Sequence, residues 1–153
     1  MRQNRRLRNR AGYSFIEMLT VIVVMAILMT ITIMSMAPQI QHGKVNNAAS
    51  VVVGDLQYAQ SLAVRYRQPI RVVVQSATRQ YVIQERPPSP TVYRIRNLGE
   101  DSQFSLDSLG TTQILEFYPN GVALNTAELT VGLEGYERQV RVTRGGQIRI
   151  VRN

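Results

Sequence analysis

The chain contains no cysteine, which excludes a disulfide framework and any thiolate metal site and leaves its redox compartment open. It has one histidine, His42, beside Gly43. With no second imidazole and no thiol, a zinc site of ordinary composition cannot be assembled. No Gly-rich phosphate loop and no G-x-S-x-G element occurs, and the acids Asp101, Asp107, Glu116, Glu128, Glu134 and Glu137 are scattered without motif spacing, as solvated surface charges are. Catalysis needs a poised acid, base, nucleophile or metal. None is marked out, so the expectation is a protein that is not an enzyme, with no catalytic residue, no metal and no cofactor. Internal repeats and low-complexity tracts are absent as well.

Charge is missing from one long stretch. Between Glu17 and Lys44 the sequence carries none. The chain as a whole is basic, with a formal net charge of +8 over 153 residues, which taken alone would suggest a nucleic-acid partner. Position changes that reading. Arg2, Arg5, Arg6, Arg8 and Arg10 all precede Gly12 with no acid among them, and beyond Gly12 the 13 remaining basic residues face all 10 acids. Most of the surplus is therefore a property of the first dozen residues. The uncharged run from Met18 to Ala37 is 20 residues long, and at about 1.5 Å per helical residue it spans the roughly 30 Å hydrocarbon core of a bilayer. Its polar interruptions, Thr20, Thr30, Thr32 and Ser35, can bond back to their own helix. The basic flank places the amino terminus in the cytoplasm and sends the carboxyl-terminal part across. A cleaved secretory signal fits poorly, because the run is longer than a usual h-region and no small-x-small site follows it before Pro38.

Glu17 stands at the mouth of this run. A lone carboxylate there costs about 2 to 3 kcal/mol or more on insertion scales, so such an acid is usually functional or paired. The stretch Gly12, Tyr13, Ser14, Phe15, Ile16, Glu17, Met18, Leu19, preceded by a basic leader and followed by the span, resembles the type III signal of type IV prepilins and pseudopilins. In that signal a glycine precedes an aromatic residue and a glutamate stands fifth in the mature chain; counted from Tyr13, Glu17 is fifth. The resemblance implies that a membrane-embedded prepilin peptidase cuts after Gly12, that the new amine of Tyr13 is N-methylated, and that the apolar segment is retained. It also implies that Glu17 meets the Tyr13 amine of a neighbouring subunit in a filament core, where a low dielectric strengthens the attraction.

Beyond the span, Val45, Ala49, Val52, Leu56, Ala59, Ala63 and Tyr66 recur at alternating spacings of four and three, an apolar stripe on one helix face. Gly43 and Gly54 weaken the helix locally, Pro38 is expected to bend it, and Pro69 ends it. From Ile70 the period becomes alternating. Strands are expected at 70–75, 80–84, 92–96, 114–118, 129–133, 139–143 and 147–151, with turns at Ser76 to Thr78, at Pro119-Asn120-Gly121 and at Gly145-Gly146. The fold class is thus α+β, with one long helix against a small antiparallel sheet domain. The expected divisions are a leader at 1–12, a transmembrane or filament-core helix at 13–37, an amphipathic helical half at 38–68 and a periplasmic β domain at 69–153.

The segments "DLQYAQSLAVRYRQPIRVVV", "EFYPNGVA" and "RVTRGGQIRIVRN" resemble the GspH/FimT-like minor pilin family, so the resemblance covers nearly the whole chain. Many major pilins carry a proline near the twenty-second mature position, where this chain has Met34; that favours a minor subunit. The implied function is a subunit of a type II secretion pseudopilus or a type IV pilus. The implied partners are the prepilin peptidase, other pilins or pseudopilins, the assembly platform and motor, and the inner membrane.

A rival reading is DNA binding for uptake. Val140, Val142, Ile148 and Ile150 alternate with Arg141 and Arg149, with Arg144 at the turn and Arg152 at the end, a basic stripe that would suit phosphates. FimT-like pilins that take up DNA carry a G-R-x-R element near this place; here Gly146, Gln147, Ile148 and Arg149 put glutamine where the first arginine would be. The bland reading is a solvated edge hairpin in which arginine discourages sheet-to-sheet aggregation. A third reading is a plain signal-anchored periplasmic domain.

Overall fold

The computed structural model describes residues 13–151 except Ser89, with only the backbone given for Met34, Ser35 and Ala37. Its elements are α1 (Phe15–Tyr66), β1 (Ile70–Gln75), β2 (Gln80–Glu85), β3 (Val92–Asn97), β4 (Ser108–Thr111), β5 (Leu115–Phe117), β6 (Ala127–Leu133), β7 (Tyr136–Val142) and β8 (Ile148–Val151). The chain divides into two compact units, Met1–Ala37 and Pro38–Asn153, and α1 contributes to both.

In the first unit the helix starts on Ser14, whose carbonyl accepts from the Glu17 and Met18 amides at 3.0 and 3.2 Å. Every side chain described from Phe15 to Ile33 is exposed, Phe15 by 82%. A helix that is apolar all round and uncovered is built for lipid or for partner helices, and this one is long and apolar enough to cross a membrane. The threonine hydroxyls follow the expectation of back-bonding: Thr20 donates to the Ile16 carbonyl at 3.0 Å, Thr30 to Ala26 at 2.9 Å and Thr32 to Leu28 at 2.9 Å. No polar group of these three is left to bury unpaired in hydrocarbon.

In the second unit α1 buries one face. Val45, Ala48, Ala49, Val52, Leu56, Ala59, Leu62 and Ala63 all belong to the core. The helix is continuous through Pro38. It stops at Tyr66 because Arg67 adopts the left-handed conformation (φ 55°) and Pro69 follows two residues later. Tyr66, read as the end of the stripe, is instead half exposed and stacks on Tyr93 with ring centroids 5.6 Å apart.

The strands form two sheets rather than one, ordered β3-β2-β1-β5 and β4-β6-β7-β8, and every pairing is antiparallel. Strand β4 was not expected: Ser-Leu-Gly-Thr is four residues long with one apolar anchor, Leu109, and it pairs with β6 at the edge of its sheet. One core cluster joins α1 to Ile70, Val72, Tyr81, Ile83, Leu115 and Phe117 of the first sheet and to Leu109, Leu129, Val131, Val140 and Val142 of the second. Burying a side chain such as Leu56 fully stabilises the unit by about 2 to 3 kcal/mol, so the stripe is the main adhesive surface.

Candidate functional site

Two regions hold the residues to which the sequence reading attaches function, and a third is a charge cluster that it does not single out. At the amino end, Gly12 lies outside the described residues, Tyr13 is exposed, and Glu17 sits in the first turn of α1, exposed as well. Tyr13 and Glu17 are four positions apart, which on a helix is one turn.

The second region is the carboxyl-terminal hairpin. Val140 and Val142 face the core, so Arg141 points to the opposite side, and its cross-strand neighbours are Glu128 on β6 and Arg149 on β8. The row across the sheet therefore reads Glu128, Arg141, Arg149. Arg141 donates to Glu128 Oε1 at 2.6 Å through Nε and lies 2.6 Å from it through Nη2. Its charge is spent within the fold. Arg144 and Arg149 are exposed, and among the described residues neither lies within ion-pair distance of a carboxylate. Arg152 lies outside the described residues.

Sequence reading missed what holds this hairpin. The Gln60 side-chain amide on α1 donates to the Gly121 carbonyl at 2.6 Å and to the Gly146 carbonyl at 3.1 Å, tying both glycine turns to the helix. Gly121 and Gly146 have φ of 80° and 82°, the left-handed region that favours glycine. A Cβ at Gly146 would collide with the Gly121 carbonyl oxygen. The Ala123 amide donates to the Arg144 carbonyl at 3.0 Å, which closes the junction.

The third region is a charge cluster on the buried face of α1. Asp55 is 3% exposed and accepts from Tyr81 Oη at 2.7 Å, from Arg94 Nη1 at 2.5 Å, and from Arg96 Nε and Nη2 at 2.8 and 3.1 Å. Burial pushes this carboxyl up, but the hydrogen bonds from Arg96, Tyr81 and Arg94 outweigh it and hold the group below the ordinary carboxylate range. Tyr81 is pushed up by burial and by its bond to Asp55. Arg94 also lies over the Tyr58 ring at 4.4 Å. Strand β3 is consequently turned over: both arginines face the helix, and Ile95 between them is 62% exposed. Glu116 corrects the reading of the scattered acids as surface charges. Expected on the surface, it is 0% exposed, accepting from Arg71 Nε at 2.9 Å and facing Arg86 Nη2 at 2.8 Å.

Near Pro38, the β6–β7 turn docks on the start of the second unit. His42 stacks on Tyr136 with centroids 3.9 Å apart, Arg138 donates to Asn46 Oδ1 at 2.8 Å, and Gln41 donates to Glu134. His42 is thus a packing residue in a helix, and among the described residues no group of His, Asp and Glu is arranged to hold a metal ion.

The family described as Type II transport protein GspH matches residues 48–146, and the prokaryotic N-terminal methylation motif matches residues 7–33. The chain belongs to the GspH family. Its fold is shared with the type IV minor pilin FimU of Pseudomonas aeruginosa, at a TM-score of 0.59 and 19% identity over 72% of this chain and 90% of that one. The minor pseudopilin EpsH from the type 2 secretion system of Vibrio cholerae matches at 0.59 and 14%, over 71% of this chain and 96% of that one. No curated protein matches in sequence.

The methylation motif and the apolar helix of this GspH-family chain point to membrane anchoring. The three segments quoted for the family likeness converge at one atom group: "DLQYAQSLAVRY" supplies Gln60, "EFYPNGVA" supplies Gly121, and "RVTRGGQ" supplies Gly146.

Proposed function

We propose that this chain is a minor filament subunit whose work is assembly rather than chemistry. A prepilin peptidase removes residues 1–12, Tyr13 becomes the methylated amino terminus, and the apolar half of α1 is stored in the inner membrane with the second unit in the periplasm. A platform and motor then move that helix from lipid into a filament core. The observation that carries this reading is the contrast along α1: from Phe15 to Ile33 every described side chain is exposed, whereas from Val45 to Ala63 the same helix buries a face. The exposed half needs an apolar cover, and lipid and neighbouring helices supply equivalent ones, so the transfer is nearly balanced in hydrophobic terms. Direction must come from outside the chain.

Glu17 is assigned to pairing with the Tyr13 amine of an adjacent subunit. Desolvated carboxylate and ammonium tolerate no mismatch, so the pair acts as a register pin. Nucleic-acid uptake is less well supported, because Arg141 is neutralised by Glu128 and, of the described arginines in the hairpin stripe, Arg144 and Arg149 are left for phosphate. The reading is tested by intact-mass spectrometry of the protein isolated from membranes and from sheared filaments. The expected result is loss of residues 1–12 with one added methyl group; a retained leader in both fractions would refute it.

A further inference from the structure

We propose that a shallow recess between the two glycine turns seats an acidic and apolar segment of another pilin subunit, with Arg144 taking the acid. This rests on the filament reading above. The recess has a volume of about 550 Å³ and is lined by Tyr118, Val122, Ala123, Leu124, Arg144 and Gly145. Its floor is fixed before any partner arrives. The Tyr118 amide donates to the Val122 carbonyl at 2.9 Å, the Gly121 amide to Tyr118 at 2.9 Å and the Ala123 amide to Arg144 at 3.0 Å, while Gln60 holds both turns from below. A floor already ordered costs little further entropy on binding.

Charge decides the occupant. The lining contains no carboxylate, and Arg144 is exposed with no ion-pair partner among the described residues. An arginine at the rim of an apolar recess complements a side-chain carboxylate whose neighbouring residue is apolar, because the planar guanidinium engages a carboxylate with two parallel hydrogen bonds. A phosphate backbone is matched less well: affinity for it grows with the number of cations engaged, and Arg144 is the one cation in the lining of the recess. Arg144 contributes its backbone carbonyl to the fold, which fixes the start of its exposed side chain at the recess.

The test uses the full chain in cells that assemble the filament, with a photoreactive phenylalanine derivative placed at Leu124 or, separately, at Ile22. The expected result is an adduct at position 124 whose partner peptide, sequenced by mass spectrometry, belongs to another pilin and contains Asp or Glu beside an apolar residue. Losing a charge-assisted hydrogen bond should lower the yield of that adduct about tenfold in Arg144→Glu and in Arg144→Gln, while Arg144→Lys retains part of it and the adducts at position 22 are unchanged. An adduct at position 124 that is absent, indifferent to Arg144→Glu, or formed with nucleic acid would overturn the proposal while position 22 still reports assembly. Failure of position 22 to reach any other pilin would instead bring down the filament reading on which it rests.

Discussion

Replacing Asp55 by alanine should destabilise the second unit by about 3 kcal/mol. The carboxylate is the shared acceptor of Tyr81, Arg94 and Arg96. Its loss leaves the Tyr81 hydroxyl, on a residue 1% exposed, without an acceptor, a cost of about 1 to 3 kcal/mol. It also leaves two guanidiniums facing an apolar helix. Breaking a buried pair by removing one partner typically costs about 3 to 5 kcal/mol, and because both arginines are about one-third exposed water recovers part of it, which places the sum near the lower bound. Urea unfolding of the full chain in mild detergent, followed by tyrosine near-ultraviolet dichroism, measures the shift in midpoint at constant slope. The reasoning fails if Asp55→Ala stays within about 1 kcal/mol of the parent, or if Asp55→Ala and Arg96→Ala simply add, since residues in one network should couple. Acid adds a second signature. The folded carboxyl titrates below its unfolded value of about 3.9, so its contribution is complete above that value and is lost as pH falls through the folded one. Asp55→Ala should flatten that acid limb.

Three further outcomes are expected. Gly146→Ala forces an L side chain into φ 82° and against the Gly121 carbonyl, so it should cost more than about 1 kcal/mol and loosen both turns, read as faster amide exchange at Gly121 and Gly146. Tyr93 donates to Glu85 Oε1 at 2.6 Å, which pushes its phenol up to about 12; its stabilising contribution is therefore present below pH about 10 and fades between about 10 and 12, and Tyr93→Phe should reduce the alkaline slope in a titration of stability, leaving the part due to Tyr81. Glu17→Ala should leave leader removal intact while reducing recovery in sheared filaments several-fold, as immunoblots of the two fractions would show; normal recovery would count against the register pin.

Much of the fold could be read from periodicity. The four-and-three spacing from Val45 to Ala63 survives as the buried face of α1, and the change to alternation at Ile70 marks the first strand. What escaped reading has definite physical causes. Strand β4 holds one apolar residue in four, too little to register as alternation. Tyr66 keeps the helical phase but is the last residue of α1, half exposed and stacked on Tyr93 rather than enclosed. Asp55 falls three residues after Val52 and four before Ala59, on the apolar face; an acid in that phase calls for cations across the interface, and that was the available signal for Arg94 and Arg96. Glu116 sits between Leu115 and Phe117 in a strand buried on both sides, so alternation gives no clue to its surroundings. The Gln60 contact joins residues 61 and 86 positions apart, and no local pattern encodes it.

The overturned edge strand carries a consequence for the proposed polymerisation. Strand β3 is the outermost of its sheet, interrupted by a register shift opposite Ile83 and Gln84, with two arginines turned under it toward Asp55. Flat, uncharged borders invite other chains to add by hydrogen bonding, while buried cations and irregular pleats discourage it. In the filament proposed above, a border that does not pair with other strands leaves helix packing as the route of growth, since addition along strands would compete with it.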